Sequence, residues 1–276
     1  MKNGLTYSVL MVSILSLLSC TSTKKQGSEV REKNVPIEVK NVDDTLVYHI
    51  ERYKDFSPYF SKTEDGFDST IYTASYPVFS SAIDTLVKPA IFIDGESKAE
   101  QVAESFLGGF NDYAEESIEA GNNFLNKWFM DQQCNVMLNV PRFVTLRNKI
   151  SSYSGGAHGM EVNLWFNYDL RDNRLLTITD IIKDTTKLTE IVEHHFREHE
   201  KLNQDEGYGE SYFFDQGQFV LADNFGLTRD GLVFHYNPYE IKPYALGSTT
   251  IIIPYEEIKG ILTSRGTVVL KNIAQK

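Results

Sequence analysis

The sequence lacks any hydrophobic run long enough to cross a membrane as a helix. Its longest apolar stretch, residues 7–18, falls well short of the roughly 20 residues such a span needs. Cysteine is scarce too: Cys20 and Cys134 are the only two, which excludes a disulfide framework and any cysteine-based metal motif. Positive charge is in deficit, with 27 Lys and Arg against 38 Asp and Glu for a net charge of −11. That balance argues against nucleic acid, because phosphate binding needs a basic face, and it favours encounter with basic partners. No fixed period recurs, so a solenoid is excluded. No G-x-S-x-G elbow surrounds a serine, so nothing sets up a hydrolase-type nucleophile.

What is present begins at the N-terminus. Lys2 precedes the apolar run, which ends in Leu17-Leu18-Ser19-Cys20. A short positive region, a short hydrophobic core and a small residue before the break describe an export signal. Leucine three positions before a cysteine resembles the bacterial lipobox. The resemblance implies cleavage after Ser19, lipid on Cys20 and attachment to the membrane through that N-terminal lipid alone. Loss of Lys2 with the leader takes the net charge one unit lower, from −11 to −12. Several acyl chains anchor a protein stably, whereas one does not. Residues 20–43 are polar and charged and read as a flexible tether.

The folded chain is expected from about residue 44. Alternating apolar residues at 45–50 and 69–79 predict strands, with Pro77 marking an edge or an end. Residues 97–128 carry apolar side chains at three- and four-residue steps and predict one long helix, with Gly108-Gly109 as a kink or a point of close packing. Cys134 leads an apolar run and reads as a small buried hydrophobe. Strands at 137–140 and 143–146 lead to Ser151-Ser152-Tyr153-Ser154-Gly155-Gly156-Ala157-His158-Gly159. Its paired glycines allow φ > 0 and close backbone approach, and the stretch reads as a joint between two halves, 44–150 and 151–276. Beyond it the pattern predicts strands at 161–170, 218–222, 232–236 and 248–254, and helices at 186–202 and 255–262. Irregular mixing of helix and strand indicates an α+β fold. The expectation is two mixed subdomains, each an antiparallel sheet with helices packed on one face.

Three stretches carry groups capable of chemistry. His195-Phe196-Arg197-Glu198-His199 matches H-x-x-E-H, in which His195 and His199 would share a zinc and Glu198 would act as base. The same histidines fall on the apolar stripe of Leu188, Val192 and Leu202, and no second helix offers a third ligand, so no metal or cofactor is assigned. His158 is read as ordering its own loop through backbone carbonyls, with ligand contact left open. The segment 234–247 holds two prolines and several tyrosines. It is stiff, so the tyrosines serve either as binding anchors or as half-buried packing with bonded hydroxyls. Tyr153, His158, Tyr236, Tyr239, Glu240 and Tyr244 are the candidate binding residues.

Together these motifs are recognisable. The run 153–159, then Phe166-Asn167-Tyr168-Asp169-Leu170, Leu176-Thr177-Ile178-Thr179-Asp180-Ile181-Ile182, Gly231-Leu232-Val233-Phe234 and Pro238-Tyr239-Glu240-Ile241-Lys242-Pro243-Tyr244 resembles a bacterial extracytoplasmic domain pair. The pair is a PdaC-like domain followed by the C-terminal domain of unknown function shared with the lysozyme-sensing anti-sigma factor RsiV. The resemblance implies a non-catalytic envelope lipoprotein, periplasmic and held at the outer membrane. It would bind a lysozyme-like protein or a peptidoglycan fragment, without nucleic acid. The alternative is a zinc-dependent hydrolase built on His195 and His199.

An alkyne fatty acid fed to expressing cells should label the protein, and Cys20→Ala should abolish the label and free the chain from membranes. A Cys20→Ala protein that stays labelled would refute the anchor.

Overall fold

The computed structural model describes residues 45–275 apart from 64, 65, 81, 82, 123 and 204. The expected signal peptide, Cys20 and the tether lie outside these residues. Strands β1 (Tyr48–Thr63), β2 (Gly66–Phe79), β3 (Phe129–Val140), β4 (Phe143–Tyr153), β5 (Met160–Asp169) and β6 (Arg174–Leu175) form one six-stranded sheet in sequence order. A smaller sheet contains β7 (Phe225–Leu227), β8 (Leu232–Tyr236) and β9 (Thr249–Ile253). The helices are α1 (Ile83–Ile91), α2 (Ala99–Glu119), α3 (Ile178–Ile181), α4 (Thr185–Glu200), α5 (Tyr255–Ile258) and α6 (Ser264–Ala274). The α+β class stands, and no helix among the described residues is long and apolar enough to cross a membrane.

Within the two sheets, every strand pair is antiparallel except β2 with β3, so the expected antiparallel sheets stand, with one parallel pair. A parallel neighbour requires a crossover connection, and α1 and α2 supply it. Pro77 lies past the β2–β3 register, which stops at Ser75, and faces only Ile50 of β1. Its missing N–H is therefore not needed on the other side.

The corrections to the expected elements have local causes. Helix α2 ends at Glu119 instead of running to 128, because Gly121 takes φ 78 after the last turn, the left-handed stop that glycine favours. The helix runs unbroken through Gly108-Gly109, and no atom lies within 4 Å of where either Cβ would sit, so the pair provides no close packing. Residues 218–222 form no strand; β7 starts later, at Phe225. The boundary expected between 150 and 151 falls inside the first sheet. β4 and β5 are hydrogen-bonded neighbours, and the glycine stretch is their hairpin loop, with the change of sheet coming after β6.

Two large cores follow from these layers, beside a small cluster of Phe110, Ala114 and Leu125. In the first, α1 and α2 cover one sheet face through Val87, Ile91, Ala103 and Leu107, against Tyr72, Cys134, Val144 and Leu146. Burial pushes the Cys134 thiol up to about 12, so it is an inert hydrophobe, as expected. The second core joins Leu188, Val192 and Phe196 of α4 to Phe234, Ile251 and Ile253 of the small sheet. Leu138, Val140 and Phe143 from the β3–β4 hairpin enter this core as well.

The two sheets meet along β5. Trp165 lies over Gly226, where an added Cβ would fall 2.0 Å from the indole, so only glycine permits that approach. Asn167, 2% exposed, accepts from Thr145 Oγ1 at 3.0 Å and from Leu227 N at 2.8 Å, and donates to Phe225 O at 2.8 Å. Further along, Asp169 is fully buried. Arg142 donates to it at 2.8 Å through Nε, Arg171 N at 3.1 Å, and Arg265 Nε lies at 3.2 Å. Arg265 also reaches Asp180 and Asp172. Burial opposes ionisation of Asp169, but the Arg142 bond and the surrounding cations outweigh it and hold its pKa below the usual carboxylate range.

Asp169→Asn keeps the shape but removes the buried anion that Arg142 and Arg265 share, leaving them only Asp172 and Asp180. It should cost about 3 kcal/mol at neutral pH, read from urea midpoints. Because the folded-state pKa is depressed, that stabilisation is present above the unfolded-chain value near 4 and fades as pH falls below it. The gap between wild type and variant should narrow there; a gap equal at all pH values contradicts the assignment.

Candidate functional site

The β4–β5 hairpin loop turns on Gly155 at φ 94 and Gly156 at φ 92, a left-handed pair that side-chain-bearing residues adopt only under strain. Tyr153 closes the turn by donating its hydroxyl to Gly156 O at 3.0 Å. Its ring stacks on Phe129 of the neighbouring β3, centroids 6.4 Å apart. His158 then stands exposed at the loop's far side.

The proline-bounded segment after β8 supplies the rest of the surface. Glu240 accepts from Asn237 N at 2.9 Å and from Asn237 Nδ2 at 3.1 Å. This brace turns the chain tightly, and Tyr239 between them sits at φ 71, a strained value for a bulky residue. Beneath the segment, Lys242 is 5% exposed and donates to Glu200 Oε1 at 2.7 Å. Glu200 also accepts from Thr249 at 2.6 Å and Tyr212 at 2.8 Å. Burial opposes its charge, yet these donors prevail and lower its pKa. A buried, fully paired lysine fixes the segment to α4.

The two segments meet face to face. His158 stacks on Tyr244 with centroids 3.7 Å apart and planes at 12°. Tyr244 donates to Gly159 O at 2.7 Å, and the same carbonyl lies 2.9 Å from His158 Nδ1. A carbonyl only accepts, so Nδ1 carries a proton, and Nε2 lies 3.3 Å from Tyr239 OH. Both imidazole nitrogens are hydrogen-bonded, which holds the ring in one orientation. Tyr239 remains 51% exposed and neighbouring Leu246 55%. The result is a fixed aromatic surface suited to stacking and hydrogen bonding.

Of the six candidate residues, His158, Tyr239 and Tyr244 come together here, while Tyr153 turns to Phe129 and Gly156 within the hairpin. Tyr236 does not join them: it is 3% exposed, with its hydroxyl donating to Val220 O at 2.7 Å and accepting from Ala222 N at 3.2 Å. Its place on β8 turns it into the second core. Glu240 serves the loop as a brace. Sequence reasoning missed Asn237, Lys242 and Glu200, the supports of the surface. The one available signal was a lysine flanked by Ile241 and Pro243 in an otherwise aromatic run.

The H-x-x-E-H stretch lies elsewhere, on α4. His195 is half-buried and bonds Glu257 at 2.8 Å, Glu198 faces His194 at 3.4 Å, and His199 is exposed. Among the described residues no group of three or more His, Cys, Asp or Glu is arranged to hold a metal ion. The residues present therefore do not fit the zinc centre that the short pattern allows.

Comparison with known proteins agrees with this organisation. Residues 63–161 match the family model described as Deacetylase PdaC, and residues 179–256 match that of Protein of unknown function (DUF3298). The chain thus carries a PdaC-like domain followed by a DUF3298 domain. A curated relative, the peptidoglycan-N-acetylmuramic acid deacetylase PdaC of Bacillus subtilis, is 28% identical over 117 residues. That match covers 40% of this chain and 24% of the relative, so the chain spans about a quarter of that protein. A DUF3298 family member from Bacteroides fragilis shares the fold at TM-score 0.64 and 23% identity, covering 85% of this chain and all of the other. Another from Pseudomonas aeruginosa follows at TM-score 0.59 and 20% identity, covering 82% and 98%.

Adding zinc to the purified protein should leave its melting temperature unchanged, since ligands that bind only the folded state raise it. A zinc-dependent rise that His195→Ala removes would restore the metal reading.

Proposed function

We propose that this chain is a non-catalytic binding module of the bacterial cell envelope, held at the outer membrane by lipid on Cys20, and that its ligand rests on the surface formed by His158, Tyr239 and Tyr244. The observation that carries this reading is the preassembled ring stack. Two loops are locked together by Tyr244 and Gly159, so little ordering cost remains to be met on binding. An imidazole held by bonds at both nitrogens presents a fixed face for stacking. Peptidoglycan glycan is the leading ligand, because flat aromatic faces accept the apolar faces of sugars and the curated relative is named for action on peptidoglycan. The net charge of −11 over the whole sequence favours a second reading, a basic lysozyme-like protein steered in by charge.

Tyr239→Ala should weaken binding of peptidoglycan fragments with no change in stability, because the ring is half exposed. Tyr244→Ala should weaken it too and cost about 1 kcal/mol of stability through the lost bond to Gly159. The loss should fall mainly on the dissociation rate. Affinity for a glycan should persist as salt rises, whereas association with a basic protein should slow as the Debye length contracts below about 8 Å. A protein that takes up neither ligand at low ionic strength contradicts the proposal.

A further inference from the structure

A second surface lies on the other side of the 237–241 turn. Between the segments 213–215 and 220–224 runs a groove of about 420 Å³. Phe213 and Val220 stand at its sides, 54% and 55% exposed, and Tyr236 forms its floor. Soluble proteins seldom leave large apolar side chains facing one another in an open groove without use. The groove is preformed. Phe213 N donates to Ile241 O at 2.8 Å, and the Tyr236 hydroxyl ties Val220 and Ala222 to the floor.

Its rim carries one sign of charge. Asp215, Asp223 and Glu240 line it, and no Lys or Arg does. From residue 202 to 228 the chain holds Asp205, Glu206, Glu210, Asp215 and Asp223 without a single basic residue. Asp215 and Asp223 are exposed and join no ion pair among the described residues. Such a rim repels phosphate headgroups, the carboxylates of cell-wall stems and a second copy of this acidic chain. It attracts cations that flank an apolar tip.

We propose that this groove docks a cationic polypeptide segment, one apolar side chain entering between Phe213 and Val220 while flanking Lys or Arg residues meet Asp215, Asp223 and Glu240. The site is separate from the aromatic surface around His158, and its occupation does not depend on what that surface binds. Tyr236, a binding candidate on sequence grounds, acts here from below, as the floor that holds both walls.

Calorimetry on the full chain tests this with a synthetic pentapeptide carrying one tryptophan between two pairs of lysines. Binding is expected at low ionic strength. It should weaken about ten-fold when glycine replaces the tryptophan, from loss of apolar burial. Asp215→Asn combined with Asp223→Asn should weaken it about five-fold, the scale of exposed charge pairs. Phe213→Ser should weaken it comparably while the melting temperature holds. If that variant melts early, Val220→Ser provides the same reading from the opposite wall. Tyr244→Ala should leave the peptide's affinity unchanged. The proposal is overturned if the peptide does not bind, if a glutamate version binds equally, or if neither the aspartate nor the wall variants reduce affinity.

Discussion

The outer edge of β5 exposes backbone donors and acceptors beyond the short reach of β6, which pairs only with Tyr168 and Asp169. Two asparagine side chains take them up. Asn237 Oδ1 accepts from Asn163 N at 2.7 Å, Asn224 Oδ1 accepts from Trp165 N at 2.9 Å, and both side-chain amides donate to Asn163 O, at 3.2 and 2.8 Å. A bare strand edge invites pairing with another chain, and an unsatisfied buried backbone group costs about 1–3 kcal/mol. Side-chain amides carry the same donor and acceptor as a peptide unit, so they close the edge as a neighbouring strand would. With Asn167 pairing to Phe225 and Leu227, β5 belongs to the large sheet on one side and is stitched to the small-sheet region on the other.

The aromatic surface around His158 depends on that stitching. Asn237 is at once the clasp on β5 and the partner of Glu240. Its position determines where Tyr239 turns and where Tyr244 descends onto the hairpin. The hairpin itself hangs from the start of β5, so both halves of the ring stack are referenced to one strand. The Lys242–Glu200 pair secures the segment from below. At the far end of β5, Asp169 gathers Arg142 and Arg265, tying the β3–β4 turn to α6. Breaking either end should loosen the relation between the sheets before it disturbs either core.

How much of this was legible in the residues follows from what each interaction looks like locally. Strand alternation at 69–79 and helical spacing in α4 reflect burial of one face, a periodic signal, and both elements lie where the pattern placed them. The paired glycines announced a tight turn, and φ values of 94 and 92 at Gly155 and Gly156 bear that out. Its role was misjudged because a hairpin loop and a domain joint carry the same glycine chemistry. The α2 stop at Gly121 was overridden by apolar residues that continue into the loop toward Trp128. Helix α6 went unnoticed although Thr263 caps it by accepting from Gly266 N. The asparagine clasps left no local trace: Asn224 and Asn163 are 61 apart in sequence, and nothing near either one marks the partner. Tyr236 and Tyr239 look alike in a tyrosine-rich run, yet one is a core residue and the other half exposed. Only the sheet direction of β8 separates them.

The hairpin and the 237–247 segment form one aromatic surface closed on the imidazole of His158, and the proposed ligand rests on it. Nuclear magnetic resonance of the full chain with selectively labelled histidine and tyrosine rings, titrated with soluble peptidoglycan fragments, addresses that claim directly. The account predicts concerted movement of the His158, Tyr239 and Tyr244 ring signals along one binding curve, with Tyr255, buried in the second core, unmoved. Signals that shift at His195 and His199 while the His158 stack stays silent would contradict it.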